Sequence, residues 1–173
     1  LWLCISSPAI RGEWLEELLE AARPETLVSI QPGLEDREYL EGRYRGEQIV
    51  SGRVAMVAYP TPLPGEDFPD GEIAYFMPPG EKIYFGDGRE SPGGHEDISR
   101  ARRVADALKA GGLPAGTRPD ILSYTAFGGA LLQMTVAGLE VADWSLREFR
   151  RSAALDLAMK ATHEAFGVIA DKF

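Results

Sequence analysis

Along the first third of the chain, short apolar runs alternate with stretches of helical period. Leu1-Trp2-Leu3-Cys4-Ile5 reads as an apolar strand that turns at Ser6-Ser7-Pro8 and gives way to an amphipathic helix over residues 12–22. A second apolar strand over 26–31 breaks at Pro32-Gly33 and is followed by another helical stretch. Two strand-turn-helix units in tandem predict a parallel sheet covered on both faces. The run begins as if halfway through a nucleotide-binding sheet, whose first half would precede Leu1.

Residues 48–59 form a long β-rich segment, ended by the loop Pro60-Thr61-Pro62-Leu63-Pro64 and Gly65-Glu66-Asp67. Residues 72–77 and 81–85 flank Pro78-Pro79-Gly80, which predicts an antiparallel hairpin between them. Ser91-Pro92-Gly93-Gly94 reads as a surface loop. Ile98, Ala101, Val104, Ala105 and Leu108 then recur at helical spacing up to Gly111-Gly112. Pro119 opens a helix to about Gly138, whose small residues Ala126, Gly128, Gly129 and Ala130 suit a close helix neighbour. A third helical stretch covers 146–173, with a break expected at Gly167.

Composition narrows the class. A chain of 173 residues with 45% apolar content can bury roughly 70% of its unfolded surface, enough for one domain and part of another. A net charge of -9 argues against nucleic acid, which is bound by clustered Lys and Arg; Arg100, Arg102 and Arg103 are offset by Glu96, Asp97 and Asp106. Cys4 is the single cysteine and is expected as a buried, inert thiol. With no disulfide, no signal peptide and no apolar run near the roughly 20 residues of a bilayer span, the cytoplasm is the expected compartment and no membrane the expectation.

Chemical motifs are sparse. No G-x-G-x-x-G occurs; Gly86-Asp87-Gly88 follows a strand, but Ser91 stands where the third glycine would be, so a hairpin exit is favoured. Ser6-Ser7-Pro8 lies between strand and helix, where open α/β sheets bind ligands. It reads either as a phosphate or nicotinamide-ribose contact or, the favoured alternative, as a Ser cap with Pro in the first turn. Gln31-Pro32-Gly33 carries the same two readings, with a turn favoured. His95 and His163 lack a third ligand at metal spacing, and no metal is expected. The acidic groups Glu16, Glu17, Glu20 and Glu35, Asp36, Glu38 read as solvated helix faces.

Several segments together carry a family resemblance: residues 1–8, Ile30-Gln31-Pro32-Gly33-Leu34, Val50-Ser51-Gly52 and the 72–86 hairpin. The helix over 102–110 with its Gly111-Gly112 exit, Pro119-Asp120-Ile121 and Glu164-Ala165-Phe166-Gly167 complete them. In this order the chain resembles a divergent, truncated member of the ketopantoate reductase (2-dehydropantoate 2-reductase) family, NADPH-dependent enzymes that reduce a 2-oxo acid on the route to pantothenate. The resemblance implies an α/β fold. Residues 1–118 would be the second half of a Rossmann-type NAD(P)-binding sheet with an antiparallel hairpin extension, and 119–173 the first helices of an all-helical substrate and dimerisation domain. It implies NADP or NAD as cofactor, held by Ser6, Ser7, Pro8, Pro32, Gly33 and Ala58. A small 2-oxo acid is the implied substrate and a homodimer the candidate assembly. The family's phosphate loop would precede Leu1, and its acidic substrate residue would follow Phe173.

The departures are specific. The family's cofactor-side lysine falls at Ser7, and the Asn of its Asn-Gly falls at Pro32. Its catalytic lysine belongs near Gly128 to Ala130, yet no lysine occurs between Lys109 and Lys160. A developing alkoxide needs a cation or strong donor; Tyr124, Thr125 and Gln133 are the available stand-ins. Three readings therefore stand: a reductase of this type acting on another substrate, a catalytically silent member that binds a nucleotide or partner, and, more distantly, a glycerol-3-phosphate or opine dehydrogenase relative.

Overall fold

The computed structural model describes the whole chain except Pro32 and residues 88–98. The expectations for Pro32, Gly88, the Ser91–Gly94 loop, His95, Glu96, Asp97 and Ile98 lie outside the described residues.

Strand β1 (Trp2–Leu3) leads through a 3-10 turn (Ala9–Arg11) into helix α1 (Trp14–Ala22). Strand β2 (Leu27–Ser29) leads into helix α2 (Leu34–Glu41), and strand β3 (Ile49–Arg53) follows. These three strands are parallel neighbours, with Trp2 opposite Val28 and Val28 opposite Val50. The side-chain alternation of strands sorts their apolar residues onto two faces. Leu27 and Ile49 join Leu3, Ile10, Leu15, Leu19 and Leu40 in one core. Val28 and Val50 join Ile83, Phe85, Ala101, Val104, Ala105 and Ala115 in the other. The expected sheet covered on both faces is present.

The 48–59 segment is not one strand. It divides into β3 and strand β4 (Val57–Pro60), which leaves the main sheet. Strand β5 (Ile73–Phe76) pairs antiparallel with β4, Val57 opposite Phe76, in a separate two-stranded sheet. Strand β6 (Ile83–Gly86) returns to the main sheet and lies antiparallel to β3, Arg53 opposite Tyr84. An antiparallel hairpin therefore exists, but the partner of 72–77 is β4 rather than 81–85. Two physical features explain the difference. Pro78 to Glu81 do close a tight turn, the Glu81 N–H donating to the Pro78 carbonyl at 3.1 Å with Gly80 at φ 84°, but Pro then Gly at its centre gives a type II geometry, which splays the flanking strands instead of pairing them. Ile83 and Phe85 are core residues, whereas Ile73, Tyr75 and Phe76 remain exposed, so burial separates the two strands.

Helix α3 (Ser99–Ala110) packs Ala101, Val104 and Ala105 on the sheet. Past Gly111-Gly112, strand β7 (Ala115–Thr117) runs parallel to β6 and gives the sheet order β1-β2-β3-β6-β7. Sequence reading misses β7, a run of only three residues with Gly116 in its centre.

Helices α4 (Ile121–Val141), α5 (Leu146–Arg151) and α6 (Ala153–Lys172) complete the chain. The break in the last helical stretch falls at Ser152, not Gly167. The Ser152 hydroxyl accepts from the Ala154 N–H and starts α6, while Gly167 sits inside that helix with open space around it. A helical glycine costs about 1 kcal/mol relative to Ala, too little to end a long helix. Gly138 of α4 meets Phe149 of α5 and Ala158 of α6; a Cβ there would lie 2.6 Å from Phe149 Cε2. The close helix approach is thus at Gly138 and not at the two glycines expected to allow it: Gly129 has open space around it and Gly128 faces the Arg53 side chain.

Two further expectations are corrected. Cys4 is exposed, because β1 is an edge strand that ends at Leu3. Among the described residues α4, at 21 residues and mean hydropathy 1.2 in its most apolar window, is long and apolar enough to cross a membrane by length and composition. The helix packs against α6 and reaches the sheet at β3 and β6.

Candidate functional site

The turn after β1 and the turn after β2 lie side by side at the C-terminal edge of parallel strands, the edge at which open α/β sheets bind ligands. Gln31 ties them together. Its amide nitrogen donates to the carbonyls of Leu3 (3.0 Å) and Ile5 (2.6 Å), and its amide oxygen accepts from the Ser29 hydroxyl at 2.7 Å. Ser6 and Pro8 are exposed, and Ser7 and Gly33 half-buried.

Ser7 does not cap the following turn; Pro8 occupies that position with no side-chain cap. The Ser7 hydroxyl instead donates to Asp36 Oδ2 at 2.6 Å. Asp36 belongs to the acidic group that the sequence places on a solvated face, yet it is only 2% exposed. Arg11 Nη1 stands 2.7 Å from Asp36 Oδ1 and donates to the Ser7 carbonyl, so the carboxylate is charge-paired in place. Gly33 makes room for it, since a Cβ at 33 would meet Asp36 Oδ2 at 2.7 Å.

One strand further along the same edge stands Arg53, the last residue of β3. Its guanidinium carbon lies 4.6 Å from the centre of the Tyr124 ring on α4. A Cβ at Gly128, one turn on, would be 3.1 Å from Arg53 Cζ and Nη2, so a glycine is what lets the guanidinium lie against the helix. Arg118 also packs on Tyr124, at 4.0 Å, and on Tyr84, at 5.7 Å, while the two tyrosine rings meet edge to face. Each cation gains from the ring's negative face.

The two arginines differ in their oxygen partners. Arg118 grips Asp120 bidentately, Nε to Oδ1 at 2.9 Å and Nη2 to Oδ2 at 2.7 Å. That hydrogen bonding holds the Asp120 carboxyl below its ordinary value and Arg118 above its own. Arg53 has no oxygen partner among the described residues. Every other described arginine off the exposed surface has one: Arg37 donates to Glu41, Gly46, Ile49 and Ser51, and Arg100 to Glu25 and Thr26.

The sequence candidates are thus distributed. Ser6, Ser7, Pro8 and Gly33 share one edge; Tyr124 joins Arg53; Thr125 is buried beside Tyr124 on α4. Gln133 is exposed further along that helix, and Ala58 is exposed in the small sheet opposite Tyr75. Sequence reasoning overlooked Arg53 and Asp36. The available signal for Arg53 was a charged residue closing the apolar strand Ile49-Val50-Ser51-Gly52. Among the described residues no group of three or more His, Cys, Asp or Glu side chains is arranged to hold a metal ion.

No protein-family model matches the sequence, and no curated protein does. Among solved structures, 2-dehydropantoate 2-reductase from Porphyromonas gingivalis W83 superposes with a TM-score of 0.54 and 18% identity, covering 91% of this chain and 57% of that one. D-mandelate dehydrogenase in complex with NADH superposes with a TM-score of 0.52 and 16% identity, covering 97% of this chain and 58% of that one. The chain thus shares with these dehydrogenases and reductases a fold, a partial Rossmann-type sheet followed by helices, and spans less than two thirds of the length of either.

Proposed function

We propose that the chain is part of an NAD(P)H-dependent reductase of the ketopantoate-reductase type, acting on a small 2-oxo acid. The observation that carries this reading is the shared C-terminal edge of β1, β2 and β3. It gathers the Ser6-Ser7-Pro8 turn, Gln31, Gly33 and Arg53, in a fold like that of a dehydrogenase solved with NADH.

The groups at the β1–β2 end of this edge suit part of a dinucleotide. They are hydroxyls and a side-chain amide, and the one ion pair, Arg11 with Asp36, neutralises itself. An uncharged ribose-nicotinamide end fits such a set, whereas a pyrophosphate is disfavoured because the N-terminal turn of α2 at this edge already carries Glu35 and Asp36. When bound, a reduced nicotinamide supplies the hydride that converts a C=O carbon to CH–OH. Ser6 and the backbone at Gly33 would hold and orient it. Arg53 would face the acid, and the neighbouring hydroxyls of Tyr124 and Thr125 are the candidates to supply the proton taken up by the oxygen. The alternative, a member that binds nucleotide without turnover, draws support from the absence of lysine on α4.

The test is a titration of the 15N-labelled chain with nicotinamide mononucleotide. Saturable shifts of the Ser6, Ser7 and Gly33 amide signals are expected. Shifts confined to other segments, or none at all, would overturn the reading. NADH and NADPH consumption with a panel of 2-oxo acids then separates turnover from binding alone.

A further inference from the structure

We infer that Arg53, laid on Tyr124 and against Gly128, is a carboxylate-binding residue that receives the acid end of the substrate. The inference deepens the reductase reading and rests on it only for the acid being a 2-oxo acid; the binding itself does not require the cofactor.

Charge is the first argument. Around Tyr124 stand two guanidinium groups and one carboxylate, and Asp120 is fully engaged with Arg118. Among the described residues one positive charge, on Arg53, is left over, in a chain whose net charge is -9. A half-buried cation in such a chain is ordinarily neutralised, as Arg37 is by Glu41. Arg53 instead lies against the Tyr124 ring and the backbone at Gly128, with no oxygen partner among the described residues.

Geometry is the second. The ring of Tyr124 and the bare backbone at Gly128, one turn apart on α4, both lie against the guanidinium. A guanidinium fixed in this way keeps its planar fork of donors for one planar acceptor, which is the bidentate match of arginine to carboxylate. Pre-ordering the fork reduces the side-chain entropy that binding would otherwise cost.

Position is the third. Arg53 ends β3 at the same edge as the β1 and β2 turns, so an acid held there lies in the row of groups assigned to the nicotinamide end. A carboxylate is favoured over a phosphate because one guanidinium supplies one charge. Phosphate sites in proteins typically combine several N–H donors or cations.

The experiment follows the Arg53 Nε–H signal in the 15N-arginine-labelled full chain during titration with pyruvate and, separately, inorganic phosphate, at constant ionic strength with chloride. A saturable shift in the millimolar range with pyruvate, and a weaker response to phosphate, is the expected result, since one charge-assisted pair and a few contacts hold a small ligand weakly. Arg53→Gln should weaken pyruvate binding about tenfold or more, and Arg53→Lys should restore only part of it because an ammonium lacks the fork. Gly128→Ala should weaken binding by displacing the guanidinium while leaving Arg53 in place. No saturable shift in the unmodified chain, or tighter binding of phosphate than of pyruvate, overturns the inference without reference to any variant. Pyruvate binding at Arg53 with no amide shifts from nicotinamide mononucleotide would leave this inference standing and remove the reductase reading instead.

Discussion

The hydroxyl of Ser7 and the carboxylate of Asp36 are joined by a 2.6 Å hydrogen bond that links the turn after β1 to the first turn of α2. Asp36 is buried and its other oxygen faces Arg11, so this carboxylate fixes the relative positions of two segments at the ligand-binding edge. Replacing Asp36 by Asn keeps the shape but removes the charge that Arg11 answers. The expected cost is about 1–3 kcal/mol, the penalty for disturbing a buried charge-assisted bond. A urea midpoint unchanged from that of the original chain would show that the link contributes nothing.

Arg37 gives a larger effect. Its 4% exposed side chain serves the carbonyls of Gly46 and Ile49, the Ser51 hydroxyl and the Glu41 carboxylate, tying α2 to β3. Arg37→Met is expected to cost about 3 kcal/mol, because buried acceptors lose their donor. Arg37→Lys should recover little, since one ammonium does not reach four acceptors in the directions of a guanidinium fork. Equal stability of the Lys and Arg proteins in chemical denaturation would contradict this account.

Two glycines should respond in opposite senses to the same change. At Gly86 a Cβ would stand 2.2 Å from the Arg118 carbonyl oxygen and 2.7 Å from Ile121 Cγ2, so Gly86→Ala forces β6 and the start of α4 apart. The expected loss is about 1–3 kcal/mol or more, as for other overpacked cores. Gly167, with open space around it inside α6, should gain roughly 0.5–1 kcal/mol on substitution by Ala. Thermal melts of both variants decide the matter, and a stabilised Gly86→Ala protein would show that the contact relaxes without cost.

The first two strand-turn-helix units were legible because burial follows a local pattern there: Leu27 and Val28, like Ile49 and Val50, alternate between two cores. The pairing of 72–77 was not legible, since apolar strands with similar patterns compete for partners. Which one enters the core depends on residues far away in sequence, here Phe85 under Gly52 and Ile121 under Gly86. The edge turns of the candidate site were visible for the same local reason. Arg53 was not, because its significance lies in its setting against Tyr124 and Gly128 without an oxygen partner among the described residues, which only the folded arrangement reveals. Asp36 was misread for the converse reason: beside Glu35 and Glu38 it looks solvated, and the tertiary contact with Ser7 and Arg11 makes it a buried tie.

The Arg118–Asp120 pair predicts a direction for pH dependence. Asp120 has its carboxyl held below the ordinary 3.8, so it binds protons less readily in the folded chain than in the unfolded one. Its contribution to stability is therefore fully present above that ordinary value and is lost as pH falls through the lower, folded value. The pair is partly exposed, so solvent screening limits its worth to about 0.5 kcal/mol. Denaturation midpoints measured between neutral and strongly acid pH should show a small acid-side loss that Asp120→Asn lacks. An identical pH profile for the two proteins would assign the loss to other carboxylates.

Strands β3 and β6 are neighbours in the main sheet although the chain departs at Arg53 and returns only at Ile83, after building β4 and β5 elsewhere. In terms of chain statistics this excursion is a closed loop, and the entropy of closing a loop rises only with the logarithm of its length, about 0.6 kcal/mol per doubling. Its outer part can lengthen or shorten at little cost to the sheet it leaves and rejoins. The same departure point carries Arg53, so the segment whose length is freest to vary is anchored directly at the residue assigned to the ligand.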